Sequence, residues 1–253
     1  MLFEDVSVLL PEGLRTHYYV ATEGERIAYL GAKRPEKNYG ETIRGAHRLL
    51  VPAFYNCHSH TAMTLMRGYG ENLKLQDWLT TRIFPFEGHL DEEAIYWGTL
   101  LGAAEMLRFG IAGTTDMYFN LDVEARAFGE AGAKANLSNG VTMFDAPEYE
   151  AMHSVQETRS AMRSLDGAYD GRIRIDFSLH AEYTSTEKIV RQLVDDMHAA
   201  PGGRVHVHVS ETKLEHEECK ARHGGRTPAQ YLRDCGLFDV PTTAAHCVWL
   251  EPE

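Results

Sequence analysis

Residues 49–60 read Leu49-Leu50-Val51-Pro52-Ala53-Phe54-Tyr55-Asn56-Cys57-His58-Ser59-His60, an apolar run that ends in two histidines one residue apart. Along an extended chain, side chains at i and i+2 project to the same side. Two imidazoles at that spacing can therefore reach one metal ion. The pair alone is a weak signal in a chain with 13 histidines. Its place at the end of a buried strand is what gives it weight.

Working outward, five more apolar runs follow: Ile111–Tyr118, Ala133–Phe144, Ile173–Leu179, Arg204–Val209 and Thr243–Trp249. Runs that are apolar on both sides suit strands covered on both faces, as in a parallel sheet. With Leu49–Cys57 they predict six strands. Helical patterns separate them. The clearest starts at Asp91, a good N-cap with acidic residues in the first turn, and stops at Gly110. Others lie near Val123–Glu130, Val155–Leu165, Glu187–His198 and Pro228–Asp234. Such alternation implies βαβ units in an α/β fold. Six of them fit a (β/α)8-type, TIM-like barrel better than a small open sheet. Residues 1–50 read differently: short β runs, Val6–Leu10 and Arg26–Leu30, end at turn signals. They predict a small antiparallel β unit, a portion of a β-sandwich, ahead of a barrel over 51–253.

Composition narrows the function. At 253 residues, 43% apolar and 25% charged, the chain can bury a substantial globular core. No apolar run approaches the roughly 20 residues needed to cross a bilayer, and the acidic start lacks the basic region of a secretory signal. A cytoplasmic protein without a membrane partner is expected. A net charge of −12 disfavours nucleic-acid polymers and points to a small-molecule substrate; a homo-oligomer is left open. Cys57, Cys219, Cys235 and Cys247 form no C-x-x-C pair, which argues against a zinc ribbon and a disulfide scaffold.

The residues capable of chemistry fall at the ends of the expected strands, where barrel enzymes keep their active sites. His206 and His208 alternate on one face of a valine-rich run. His206 lies deeper and reads as a core histidine bonded to a backbone carbonyl, which leaves His208 as the better metal ligand. Glu211, three residues on, can move a proton beside the metal; the alternative is an N-cap for a helix starting near Lys213. His246, after two alanines, can ligate or hydrogen-bond at the metal. His180-Ala181-Glu182 mimics half of the cytidine-deaminase zinc signature, but the chain has no C-x-x-C to complete it. His180 is expected to contact substrate, and Glu182 to be ordinary. Imidazole-rich sites suit zinc or iron, zinc ahead of iron, so a single divalent ion is expected. Such an ion lowers the pKa of bound water toward neutrality, which makes hydrolysis the natural reaction class.

The stretch Val51–Gly68, with its Asn56-Cys57-His58-Ser59-His60 core, resembles the first-strand signature of the amidohydrolase superfamily. More narrowly, it is similar to the branch holding the methylthioadenosine/S-adenosylhomocysteine deaminases and the s-triazine hydrolases. Asp77-Trp78-Leu79, Ile83-Phe84-Pro85-Phe86-Glu87, Gly113-Thr114-Thr115-Asp116-Met117-Tyr118, His208-Val209-Ser210-Glu211-Thr212 and Ala245-His246-Cys247-Val248 extend the likeness in order. The resemblance implies that His58, His60 and His208 hold the metal. It implies that Glu211 shuttles a proton to the leaving group and that His246 orients the attacking hydroxide. Trp78, Glu87 and His180 would line the substrate pocket, with Glu87 on ribose hydroxyls; the alternative is a packed tryptophan and a solvated glutamate. The implied activity is hydrolytic deamination of an adenosine-type nucleoside. Guanine, cytosine or triazine hydrolysis is the alternative within the class.

One departure stands out. The family completes its metal site with an aspartate at barrel strand 8 that also serves as general base. The sequence stops at Glu251-Pro252-Glu253, after strand 6 of this reading, with no residue to match it. The expectation is therefore a barrel incomplete at its C-terminus, from a fragment, a split gene product or a piece of a longer protein. A non-catalytic binding module is the competing expectation.

Overall fold

The computed structural model describes residues 1–252, and the chain divides into two compact units, Met1–Ala53 and Phe54–Glu253. In the first, β1 (Leu2–Leu10), β2 (Gly13–Glu23) and β3 (Arg26–Gly31) form antiparallel neighbours. Gly13, at φ 107°, takes the left-handed turn that a side chain would disfavour. β4 (Thr42–Arg44) and β5 (Leu49–Leu50) both pair parallel to β1. The unit expected as antiparallel is thus mixed, antiparallel over β1–β3 with two parallel pairings added. Alternating β-branched residues supply the unit's core, with Val6, Val8 and Val20 buried among Phe3, Leu10, Tyr18 and Leu50.

The expected strand Leu49–Cys57 is two strands. Leu49–Leu50 belongs to the first unit, and β6 (Phe54–Ser59) opens the second. Between them Pro52, which has no N–H to give a ladder, breaks the run.

In the second unit β6, β7 (Ile111–Met117), β8 (Lys134–Ser138) and β9 (Ile173–Ile175) pair in parallel, in chain order. β10 (Phe177–Leu179), β11 (Val205–Val209) and β12 (Thr242–His246) make a second parallel sheet. The expected strand Ile173–Leu179 is shared between the two sheets. It divides at Asp176, whose N–H bonds Leu137 O at 2.9 Å while the next N–H, on Phe177, bonds Arg204 O at 2.9 Å. The Asp176 carboxylate is held there by Arg204 Nε at 2.6 Å. The expected strand Ala133–Phe144 is cut to β8, and beyond Asn139-Gly140 only Val141 makes a lone bridge, to Leu179.

Helices cross between the strands, and their ends follow capping chemistry. Glu92–Arg108 starts where Asp91 accepts the Ala94 N–H at 2.8 Å. Glu187–Ala199 is capped by Thr186. Lys213–Arg222 and Pro228–Asp234 each carry a reciprocal capping box, Thr212 with Glu215 and Thr227 with Gln230. Leu121–Ala131 and His153–Ser164 complete the set of longer helices. Their buried faces cover the strands in two clusters, one around Phe128, Leu137 and Ile173, the other around Leu179, Leu193, Val207 and Tyr231. Among the described residues no helix is long and apolar enough to cross a membrane.

Candidate metal centre

The second unit gathers five histidine rings at strand ends. His58 ends β6, and its ring centroid lies 4.8 Å from those of His60 and His208 and 5.0 Å from that of His246. His180, just past β10, lies 5.0 Å from His208. The turn after β6 is set by Asp116, a fully buried β7 side chain whose two oxygens accept the Thr61 N–H at 3.0 and 3.1 Å. Ser59 adds a 2.6 Å bond to Thr114. The sequence reading passed over Asp116, although Gly113-Thr114-Thr115-Asp116 announces a small, polar strand end.

Burial makes a positive charge on these rings costly and so favours the neutral imidazole. Burial, helped by the neighbouring rings, pulls His58 down to about 3. It lowers His180 to about 4, and holds His60, His208 and His246 below their ordinary value. Neutral imidazole has one lone pair to offer. His60 Nδ1 lies 2.5 Å from Met117 O, so that nitrogen carries the hydrogen and Nε2 keeps the lone pair.

The donor set fits a divalent ion. One nitrogen from each of His58, His60 and His208 lies within 4.8 Å of the others. His58 Nε2 and His208 Nε2 are 3.3 Å apart, the separation of about 3.3 Å expected between nitrogens bound tetrahedrally to zinc at roughly 2.0–2.1 Å.

Glu211 follows β11 and is half-buried, which pushes its carboxyl up from the ordinary value. The N-cap alternative for this residue is overturned: Thr212 caps the helix, and Glu215 accepts the N–H groups of Ser210, Glu211 and Thr212. Glu211 instead faces His246, with Oε1 3.6 Å from Nε2. His246 and Cys247 are both left-handed, at φ 69° and 54°. Such strain in residues other than glycine persists only where surrounding contacts enforce it; here the Cys247 N–H bonds Val209 O at 2.9 Å.

A cavity of about 290 Å³ opens beside the histidines, lined by His60, Trp78, Phe84, Glu87, Tyr118 and His180 among others. Trp78 gives its indole N–H to Tyr69 O at 3.3 Å and turns its ring to the cavity. Glu87 is half-buried beside Tyr118, and burial pushes its carboxyl up. The short helical turns over 75–87 that carry both residues have no strong periodicity to betray them in sequence. A second recess shares Phe84, Thr142 and His180 and adds Phe144.

One sequence reading needs correction, and one is extended. Glu182 is not ordinary: it is 2% exposed and bound by Arg222 (2.6 Å) and His223 (2.7 Å). His206 is a fully buried core histidine with a bond to the Asp116 backbone, but its Nε2 also lies 2.9 Å from His58 Nδ1.

Residues 49–253 match the model of the amidohydrolase family. The 5-methylthioadenosine/S-adenosylhomocysteine deaminase of Pelotomaculum thermopropionicum is 38% identical over 95% of this chain and 55% of its own length. Its namesake from Thermoanaerobacter pseudethanolicus is 36% identical over 94% and 54%. The chain therefore spans about half the length of these curated relatives. Among solved structures, a zinc-bound adenosine deaminase from Xanthomonas campestris superposes with a TM-score of 0.84 at 27% identity, over 99% of this chain and 58% of that one. A guanine deaminase from C. acetobutylicum, at 17% identity and a TM-score of 0.83 over 99% and 63%, shares the α/β fold.

Proposed function

The chain belongs to the amidohydrolase family, and we propose that within it the protein is a zinc-dependent aminohydrolase acting on an adenosine-type nucleoside such as methylthioadenosine or S-adenosylhomocysteine. The observation that carries this reading is the convergence of His58, His60 and His208 beside Glu211 and His246, at the edge of a cavity walled by Trp78, Glu87 and His180. The two parallel sheets, with β9 and β10 taken as halves of one strand, are read as the first six strands of a (β/α)8-type barrel, with residues 1–50 as a separate small β domain.

His58, His60 and His208 would hold a divalent ion, which when bound would bring the pKa of a water molecule toward neutrality. Zinc is favoured by the imidazole set and by the zinc in the Xanthomonas structure. Glu211, raised by burial, is suited to carry a proton to the ring nitrogen and then to the departing amine. His246, 3.6 Å from Glu211, holds the attacking oxygen on the ring face. Trp78 stacks the base, and His180 contacts it from the β10 side. Glu87 accepts from the ribose hydroxyls, an exchange of water for sugar that suits a half-buried carboxylate. The recess around Phe84 and Phe144 suits the 5′ substituent. Water and substrate give the oxo nucleoside and ammonia, so the test is direct. Ammonia release from methylthioadenosine, S-adenosylhomocysteine or adenosine by the zinc-loaded protein is expected. Release from guanine or a chlorotriazine, with none from these nucleosides, would overturn the substrate assignment.

A further inference from the structure

His60 has its tautomer set by a carbonyl, which can only accept. His58 does not. Its Nδ1 faces another imidazole nitrogen, His206 Nε2, at 2.9 Å, and either could donate. The ambiguity is resolved one step further out. His206 Nδ1 lies 3.4 Å from Ser138 Oγ. The Ser138 hydroxyl already donates to Asp116 O at 2.9 Å. With its hydrogen committed, Ser138 Oγ faces His206 Nδ1 as an acceptor, so Nδ1 carries the hydrogen and Nε2 must accept. His58 Nδ1 is then the donor, and His58 Nε2 keeps its lone pair, 3.3 Å from His208 Nε2.

We propose that His206 is a positioning residue for the metal centre, fixing the tautomer and tilt of His58 through a hydrogen-bond chain that ends on the backbone of Asp116. The chain links side chains of β6, β11 and β8 to a main-chain oxygen of β7. His206 meets His58 edge-on, with centroids 4.9 Å apart and planes at 79°. With no solvent exposure, water has no route to replace the link. The Ser178 hydroxyl, bonded to His206 O at 2.9 Å, anchors the backbone behind it. A core position in a run of valines would be filled more simply by an apolar side chain, since an unsatisfied buried imidazole costs stability. Outer partners of metal-bound histidines typically change metal affinity by about 10- to 100-fold when removed.

The inference rests on His58, His60 and His208 holding metal, and the test separates the two. Zinc affinity is measured by chelator competition on the wild-type chain, His206→Leu and His206→Gln, with circular dichroism to confirm folding. Gln can accept from His58 with Oε1 and donate outward with Nε2; Leu can do neither. Expected are an affinity loss of about 10- to 100-fold for His206→Leu and near-wild-type binding for His206→Gln. Cobalt(II) bound in place of zinc should show altered ligand-field bands only in the Leu variant. Equal affinity for His206→Leu and wild type, or equal impairment of both variants, overturns the positioning role. A wild-type chain that binds no zinc overturns the metal centre itself. Should His206→Leu not fold, Ser138→Ala, which removes one outer acceptor, decides: a measurable weakening supports the relay, and unchanged affinity overturns it.

Discussion

Among the described residues, two groups bring three metal-ligating side chains within 4.8 Å: His58, His60 and His208, and Glu182, Cys219 and His223. They are built in opposite ways. In the histidine group the hydrogens of His60 and His58 point outward, to Met117 O and to His206, so the Nε2 lone pairs of these two rings turn inward, toward His208. In the second group the cation is already supplied by the protein. Arg222 sets Nη2 2.6 Å and Nε 3.2 Å from the Glu182 oxygens, and His223 adds a third contact at 2.7 Å. Burial, with Glu182 nearby, pushes the Cys219 thiol up to about 12, so it stays protonated. Proximity of ligand atoms is common to both groups; what distinguishes them is where the protons and neighbouring charges lie. The first reads as a metal centre, and the second as an internal ion pair tying the loop after β10 to the helix Lys213–Arg222.

Substitutions separate the two groups, and the largest effect is expected from Glu211, which stands beside the histidines, and from Glu182. Glu211→Gln should cut ammonia release by about 10²- to 10⁴-fold, the usual worth of a positioned proton carrier, while leaving the melting temperature nearly unchanged. Glu182→Gln should do the reverse, lowering the melting temperature more than the rate. A Glu211→Gln enzyme of normal rate would remove that residue from the chemistry. Next comes Arg222→Met. Breaking a fully buried pair costs roughly 3–5 kcal/mol, but Arg222 is 39% exposed and His223 remains. A loss of about 1–3 kcal/mol in denaturant unfolding follows, with zinc stoichiometry unchanged. A second zinc bound by the Arg222→Met protein would show that the ion pair conceals a metal site.

Acid should separate the groups further. His58 and His206 are pulled from 6.5 to about 3, and His180 to about 4, chiefly by burial. Groups depressed in the folded state give stability that is present above pH 6.5 and lost as pH falls toward those values. Asp116, pushed up to about 7 by burial, works in the opposite sense, its contribution fading as pH rises through 7. Glu87, Glu211 and Glu124, also raised by burial, work in the same sense as Asp116, so the imidazole contribution is isolated by difference: the metal-free chain should lose more stability between about pH 6.5 and 4 than its His180→Asn variant. Equal losses in chemical denaturation would contradict the burial of a neutral His180. The smallest effect concerns Glu124, whose two buried oxygens have no hydrogen-bond partner and whose carboxyl is held well above its ordinary value by burial, then by Asp116 and Glu157. A raised carboxyl stabilises below its unfolded pKa and loses that contribution as pH rises. Glu124→Gln should therefore raise the melting temperature slightly at pH 8 and hardly at pH 5, and a larger gain at pH 5 would count against a protonated Glu124.

What the sequence revealed was local. The pairs His58/His60 and His206/His208 declare their shared faces through the two-residue period of a strand. Asp91 and Pro228 mark helix starts through the unpaired N–H groups they accompany. What it hid was long-range. The partner of His58 Nδ1 is 148 residues away, and the guanidinium on Glu182 is 40 residues away. No periodicity encodes either contact. The division of Ile173–Leu179 between two sheets was equally hidden, because Asp176 takes its meaning from Arg204 on a neighbouring segment.

Equilibrium dialysis against zinc, followed by elemental analysis, separates the proposed metal centre at His58, His60 and His208 from the ion pair around Glu182, Cys219 and His223. One zinc per chain is predicted for the wild type and for Cys219→Ser, with that zinc lost in His58→Ala. A wild-type chain without zinc, or zinc that survives His58→Ala and disappears in Cys219→Ser, would contradict the account.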